Sequence, residues 1–189
     1  EHIIIKSPKI PKELGRVRIA QISDVHIGLI VGKSRLKRIL DKVKAAQPDI
    51  FISTGDLVDG QMDDVSALTH MFREISAKYG KFAVTGNNEF YAGLDRSLVF
   101  TNEAGFTVLR GETLSLNGFL YIAGVDDMAG RGSGWVKDIS EKALLSPLPN
   151  DKFTLFLKHR PLLEKDAIGL YDLQISGHVH KGQIFPFSL

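Results

Sequence analysis

No cysteine occurs among the 189 residues. That excludes disulfide scaffolds, cysteine-ligated zinc sites and thiol catalysis, and it leaves the redox compartment open. Tryptophan is represented only by Trp135, and no apolar run approaches the ~18 residues needed to span a bilayer. Internal repeats and low-complexity tracts are also missing, and so is an excess of one charge: 24 Lys and Arg face 22 Asp and Glu, a net of +2. What remains is ordinary for a folded domain, with 43% apolar and 24% charged residues. A chain of this length buries roughly 70% of the surface its unfolded form exposes. One core is therefore expected, with residues 1–189 as a single domain. No signal peptide or anchor is visible within the chain, and one upstream of Glu1 stays open.

Charge is unevenly spread. Residues 1–50 hold eleven Lys and Arg against five acids, whereas residues 51–100 hold four against seven. The basic excess is dispersed rather than concentrated in a run. A solvated face is the plainer reading, and attraction to an anionic membrane surface or a polyanionic substrate is the sharper one. A nucleic-acid partner is not expected, because no basic groove interleaved with aromatics is evident. A monomer is expected.

Short apolar runs at residues 17–22, 50–53, 82–84, 120–123, 153–157 and 173–175 suit strands buried on both faces. Between the first three lie two helical patterns. Ser34 is the expected N-cap of the first, which carries Leu36, Ile39, Leu40 and Val43 until Pro48. Val65, Leu68, Phe72, Ile75 and Tyr79 form the stripe of the second, closed by Gly80. A third helix is expected over 94–104, stopped by Gly105. Strand–helix–strand order implies parallel pairing. The second half, with Asn117-Gly118 as a hairpin turn, reads as more antiparallel. The fold class is α/β with two sheets. Residues 1–14 read as an extended arm that begins with a short strand at 3–5.

In open α/β sheets the ligand sits beyond the carboxyl ends of the strands. Those ends here read Ser23-Asp24-Val25-His26, Thr54-Gly55-Asp56, Thr85-Gly86-Asn87-Asn88-Glu89, Lys158-His159-Arg160-Pro161 and Ser176-Gly177-His178-Val179-His180. Four of the six histidines fall among them. Imidazole and carboxylate together suit Mn, Fe, Zn and Ni. Asp24 and His26 are two apart, as are His178 and His180, so each pair can share a strand face. So many ligands exceed what one four-coordinate ion takes, which makes two ions the natural count. Two divalent ions beside two carboxylates and one hydroxide keep a surplus positive charge, which attracts a phosphate oxygen. Singly, Asp56 reads as well as a turn residue, and His159 and the His178/His180 pair as surface histidines. Their joint order favours metal.

These motifs resemble the calcineurin-like metallophosphoesterase superfamily, whose pattern is D-x-H, G-D, G-N-H-[DE], a lone His and G-H-x-H. The resemblance covers residues 15–187 and is strongest to the bacterial membrane-associated branch, through His159-Arg160-Pro161 and through Gly182-Gln183 and Pro186 after His180. It implies a four-layer α/β/β/α sandwich with two mixed β-sheets and a metal-dependent phosphatase or phosphodiesterase, membrane-associated or cytoplasmic. Asp24, His26 and His180 would hold one ion and Asn87, His159 and His178 the other, with Asp56 bridging. Two divalent ions are implied, Mn favoured, and a bridging hydroxide would attack a phosphomonoester or phosphodiester, lipid-linked or nucleotide-linked. A pyrophosphatase acting on a nucleotide-linked lipid at the membrane is the alternative reaction. A binding domain that has lost catalysis is the alternative of another class.

Two departures stand out. The family histidine after the motif Asn falls on Asn88, which can donate a hydrogen bond but cannot give up a proton, so Asn88 is a catalytic and substrate-binding position with weakened acid chemistry. The chain also ends nine residues after His180, where relatives add further strands, so a shortened C-terminal edge is expected. Arg160 reads as a phosphate contact or an internal ion pair, Glu89 as a residue that orients a ligand, Asp59 as a residue that supports a ligand or caps a turn rather than a ligand itself, and Asp126-Asp127 as turn formers. The segment from Gly130 to Trp135 reads as a flap bordering the site.

Overall fold

Every side chain of β2 (Ile50–Ser53) is buried, but on alternate faces. Ile50 and Ile52 join one apolar cluster and Phe51 another, as the two-residue repeat of a strand requires. Such a strand needs a layer on each side. The computed structural model, which describes residues 2–28, 31–60, 65–136 and 139–179, supplies both.

The first sheet runs β1 (Ile19–Ile22), β2, β3 (Lys81–Ala83), β4 (Thr107–Val108), all parallel. The second runs β5 (Glu112–Leu116), β6 (Leu120–Gly124), β7 (Phe153–Leu157), β8 (Leu173–Ile175). Only β5 and β6 pair antiparallel there, around Asn117 and Gly118 at φ of 49° and 72°; the pairings of β6 with β7 and β7 with β8 are parallel. The first sheet is thus parallel throughout, and only the second is mixed. The helices are α1 (Lys33–Ala46), α2 (Thr69–Arg73), α3 (Asn87–Tyr91), α4 (Leu94–Glu103) and α5 (Glu141–Leu145).

Three apolar clusters fix the layering. Between the sheets, Ile52 and Phe82 pack with Ile122 and Leu155. Outside the first sheet, Phe51 meets Leu36 and Leu40 of α1, Phe72 of α2 and Phe100 of α4. Outside the second, Ala123 and Phe156 meet Leu144 and Leu145 of α5. The order is helices, sheet, sheet, helix, the four layers expected.

Several local expectations shift. Ser34 lies inside α1, whose N-cap is Gly32; the helix does end before Pro48, with Gln47 at φ 47°. The second helix is much shorter than its apolar stripe, because Tyr79 N–H donates to Asp49 O at 2.7 Å and Phe51 N–H to Gly80 O at 3.1 Å. Those sheet contacts draw residues 79–80 out of any helix. Residues 3–5 form no strand and are exposed, while Ile10 and Leu14 farther along the arm pack on the inter-sheet cluster. Residues 180–189, including His180 and the expected shortened edge, lie outside the described residues. No helix among the described residues is long and apolar enough to cross a membrane.

Candidate metal centre

Parallel register brings the motifs together. Ile22 pairs with Ser53 and Ser53 with Ala83, so the ends of β1, β2 and β3 are level. In the second sheet Leu157 pairs with Ile175, which sets His159 beside Gly177 and His178. The two sheets meet at these ends. Gln21 Nε2 donates to Ser176 O at 2.9 Å and His178 N–H to the Asp24 carboxylate at 3.0 and 3.2 Å, while Gly177 N–H to His159 O at 2.8 Å continues the pairing within the second sheet. Two glycines permit the approach. A Cβ on Gly55 would lie 2.7 Å from Gly86 Cα and 2.9 Å from His159 Nδ1, and one on Gly177 would collide with Ser23 and Asp24.

Asp24, His26, Asp56 and His178 all have positive φ, at 53°, 52°, 51° and 73°. Left-handed backbone at non-glycine residues is costly and gathers at functional sites. Here it is held by sheet-like bonds between loops, Asp24 N–H to Gly55 O at 3.1 Å and His26 N–H to Asp56 O at 3.0 Å.

The side chains converge. One ligand atom from each of Asp24, His26 and Asp56 falls within 4.8 Å of the others. His159 Nε2 is 3.4 Å from Asp56 Oδ2, 4.0 Å from Asp24 Oδ1 and 3.1 Å from His178 Nδ1. His159 Nδ1 lies 2.8 Å from Thr54 O, an acceptor only, so its proton sits there. In the neutral ring the Nε2 lone pair then faces two carboxylates and a second imidazole. A cation between them resolves that crowding of acceptors, and fixing a ligand tautomer through the other ring nitrogen is a recurrent feature of metal sites. Asn87 opens α3, and its Oδ1 is buried without a hydrogen-bond partner among the described residues. The residues present therefore fit divalent metal.

Residues 17–182 match the calcineurin-like phosphoesterase family. The chain belongs to that family. It is 40% identical over 98% of its length to an uncharacterized metallophosphoesterase of Aquifex aeolicus and spans 70% of that protein. It is 34% identical to a similarly named protein of Helicobacter pylori strain J99, of which it spans 48%. It is 28% identical to a transmembrane protein with metallophosphoesterase domain from Danio rerio, of which it spans 44%. Among solved structures, the NAD nucleotidase of Haemophilus influenzae superposes with a TM-score of 0.57 over 87% of this chain and 43% of that one. At 17% identity that likeness shows the fold alone. The chain is thus a metal-dependent phosphoesterase domain.

The calcineurin-like phosphoesterase site has a buried organiser in Glu89. Its carboxylate accepts from the N–H groups of Gly86 at 2.6 Å, Leu57 at 2.8 Å and Asp56 at 2.9 Å. One side chain thereby ties the loop after β2 to the turn into α3. Burial, and then the Asp56 charge, push the Glu89 carboxyl above its ordinary range. Glu89→Ala should leave four buried N–H groups without this acceptor, the fourth being Val58 at 3.4 Å, at about 1–3 kcal/mol for each well-formed bond. Urea denaturation is expected to show a loss of roughly 3 kcal/mol or more, and metal titration a weaker site. Unchanged stability would sink this role.

Burial alone would lower the His159 pKa, but the Asp56 carboxylate outweighs it and raises the imidazole above 6.5. Burial likewise opposes ionisation of Asp56, and His159 and Asn88 outweigh it to hold Asp56 below 3.8. Without metal, this pair stabilises the fold fully between those two ordinary values. The contribution fades as pH rises through the raised His159 value and as it falls through the lowered Asp56 value. EDTA-treated protein should therefore melt higher at about pH 5.5 than at about pH 8.5, and His159→Gln should flatten the difference. Metal should reverse the sign, because protons compete with it for histidine, with occupancy falling below about pH 6. Burial, then the His159 charge, hold His178 below its ordinary value, in the neutral form a metal requires.

Arg160 forms an ion pair, its Nε donating to Asp127 Oδ2 at 2.8 Å and its Nη2 to Asp127 Oδ1 at 3.3 Å. Asp127 also caps the following turn through Ala129 N–H, and Asp126 pairs with Arg110. These aspartates are thus more than turn formers. Of the segment expected to border the site, Arg131 lines the cavity that holds His159 and Arg160, and Trp135 lines a second cavity with Phe90 and Tyr91. Sequence reasoning missed the buried Lys158–Glu141 pair, since residues so far apart carry no shared motif.

Proposed function

We propose that this domain hydrolyses a phosphomonoester or phosphodiester at a centre of two divalent ions, with Mn favoured. Asp24, His26 and His180 would hold one, Asn87, His159 and His178 the other, and Asp56 both. The observation that carries this reading is the His159 Nε2 lone pair, aimed at Asp56, Asp24 and His178 while Thr54 O holds the Nδ1 proton. Bound metal ions lower the pKa of water towards neutrality and neutralise charge on the phosphoryl oxygens. The chain's own groups orient the ester. Asn88 Nδ2, 2.9 Å from Asp56 Oδ2, is a hydrogen-bond donor at the reacting end but has no proton to transfer. Arg160 keeps three of its five N–H donors for phosphate after serving Asp127.

Turnover of nitrophenyl phosphate and bis-nitrophenyl phosphate tests the reading. EDTA-treated protein should be inactive and Mn²⁺ should restore it. Tight metal binding without turnover of either ester would instead favour a ligand-binding domain, the reading that Asn88 supports. Contact with an anionic membrane surface is supported by α1, whose exposed positions include Lys33, Arg35, Lys37, Arg38, Lys42 and Lys44. Co-sedimentation with anionic vesicles should fall steeply with salt, since exposed charges are screened within about 10 Å at 0.1 M. Equal sedimentation with neutral vesicles would overturn the contact.

A further inference from the structure

A cavity of about 360 Å³ opens beside the metal centre, with His159 and Arg160 in its wall. That lies near the lower end of the ~300–1,000 Å³ of small-molecule sites. Met128, Val136, Leu162 and Leu163 give it apolar sides. Leu162 and Leu163 are 54% and 62% exposed, so the apolar wall continues to the surface. Three further lining residues are buried and charged: Asp127, which is paired with Arg160, and Lys158 and Glu141. One Glu141 oxygen takes the Lys158 ammonium; the other, Oε2, is buried and has no hydrogen-bond partner among the described residues. A buried acceptor left unsatisfied is costly, so a donor on the cavity's occupant fits there. No Phe, Tyr or Trp is among the described lining residues, so the cavity offers a nucleobase no large aromatic face.

We propose that this cavity holds the alcohol part of the phosphate ester, and that the substrate is amphiphilic: an apolar chain lies against Met128, Leu162 and Leu163, and a hydroxyl or amide near the phosphate donates to Glu141. The inference rests on the phosphoesterase reading above and names its substrate class.

Alkylphosphonates are not hydrolysed, so their affinity for the Mn²⁺-loaded protein tests the cavity apart from turnover. A buried methylene strengthens binding roughly fourfold. Hexylphosphonate should therefore bind at least about tenfold more tightly than methylphosphonate, and Leu163→Asp should remove most of that gain. A hydroxyl at carbon 2 of the hexyl chain should add roughly fivefold, the worth of one hydrogen bond. Replacing Glu141 and Lys158 together by Met leaves no lone buried charge and should erase the hydroxyl preference while the chain-length preference stays. Equal affinity for methyl- and hexylphosphonate overturns the substrate class and spares the phosphoesterase reading. A chain-length gain that survives Leu163→Asp also overturns it, by placing the chain elsewhere. If neither phosphonates nor inorganic phosphate bind the metal-loaded protein, both readings fall.

Discussion

Asn88→His should raise turnover of an alkyl phosphate ester by about 10²–10⁴-fold, the range expected when a general acid is supplied. In the proposed site Asn88 takes the position of such a group. Its backbone N–H donates to Asp56 Oδ1 at 2.8 Å, and its amide lies 2.9 Å from Asp56 Oδ2 and 3.3 Å from His26 Nδ1. The backbone bond does not depend on the side chain, so it survives the change. The residue is half-buried in the first turn of α3, next to Asn87, where an imidazole is expected to face solvent and substrate together. An amide can bind a phosphoryl oxygen in the ground state but cannot protonate an alkoxide as it leaves, so the gain should appear in kcat more than in KM. It should shrink for nitrophenyl phosphate, whose leaving group departs without help. Metal content should stay unchanged. An unaltered rate on the alkyl ester would remove Asn88 from the reacting end of the site.

Asp56→Asn should release both ions together and lower activity by about three orders of magnitude or more, since metal stabilisation of the transition state is worth several kcal/mol. Asp56 is almost wholly buried and its two oxygens meet Asn88 and face His159 and His26. Asparagine keeps the size and tolerates the left-handed backbone found at φ 51°. What it removes is charge. Two cations held close together without a shared anion repel strongly in a buried site. The metal-free variant should remain folded and should lose the acid-side stability that the His159–Asp56 pair supplies. Elemental analysis showing two ions retained would overturn the bridging role.

Much of the site was legible because its ligand types come in short strings at strand ends. Asp24 and His26, Gly55 and Asp56, Gly86 and Asn87, and Gly177 and His178 are each local, and local strings are where sequence carries information. Glu89 was legible only as a general orienting residue, because its partners Leu57 and Asp56 lie more than thirty residues away. The same holds for Thr54 O, which decides the His159 tautomer across 105 residues.

By itself the sequence determined the alternating strands and helices of the first half, the burial of strands on both faces, and which residue types gather for metal. Those follow from periodicity and side-chain chemistry, which act over a few residues. Tertiary structure decided the rest. Strand pairing with Asp49 and Phe51 cut the second helix short, although its apolar stripe ran on to Tyr79. The parallel pairing of β6, β7 and β8 depended on crossovers that a lone hairpin signal could not reveal. Arg160 was turned towards Asp127, and Lys158 and Glu141 were buried together beside the cavity. Each of these is a choice among long-range partners, settled by which charges and backbone groups the packed sheets bring within bonding distance and seal from water.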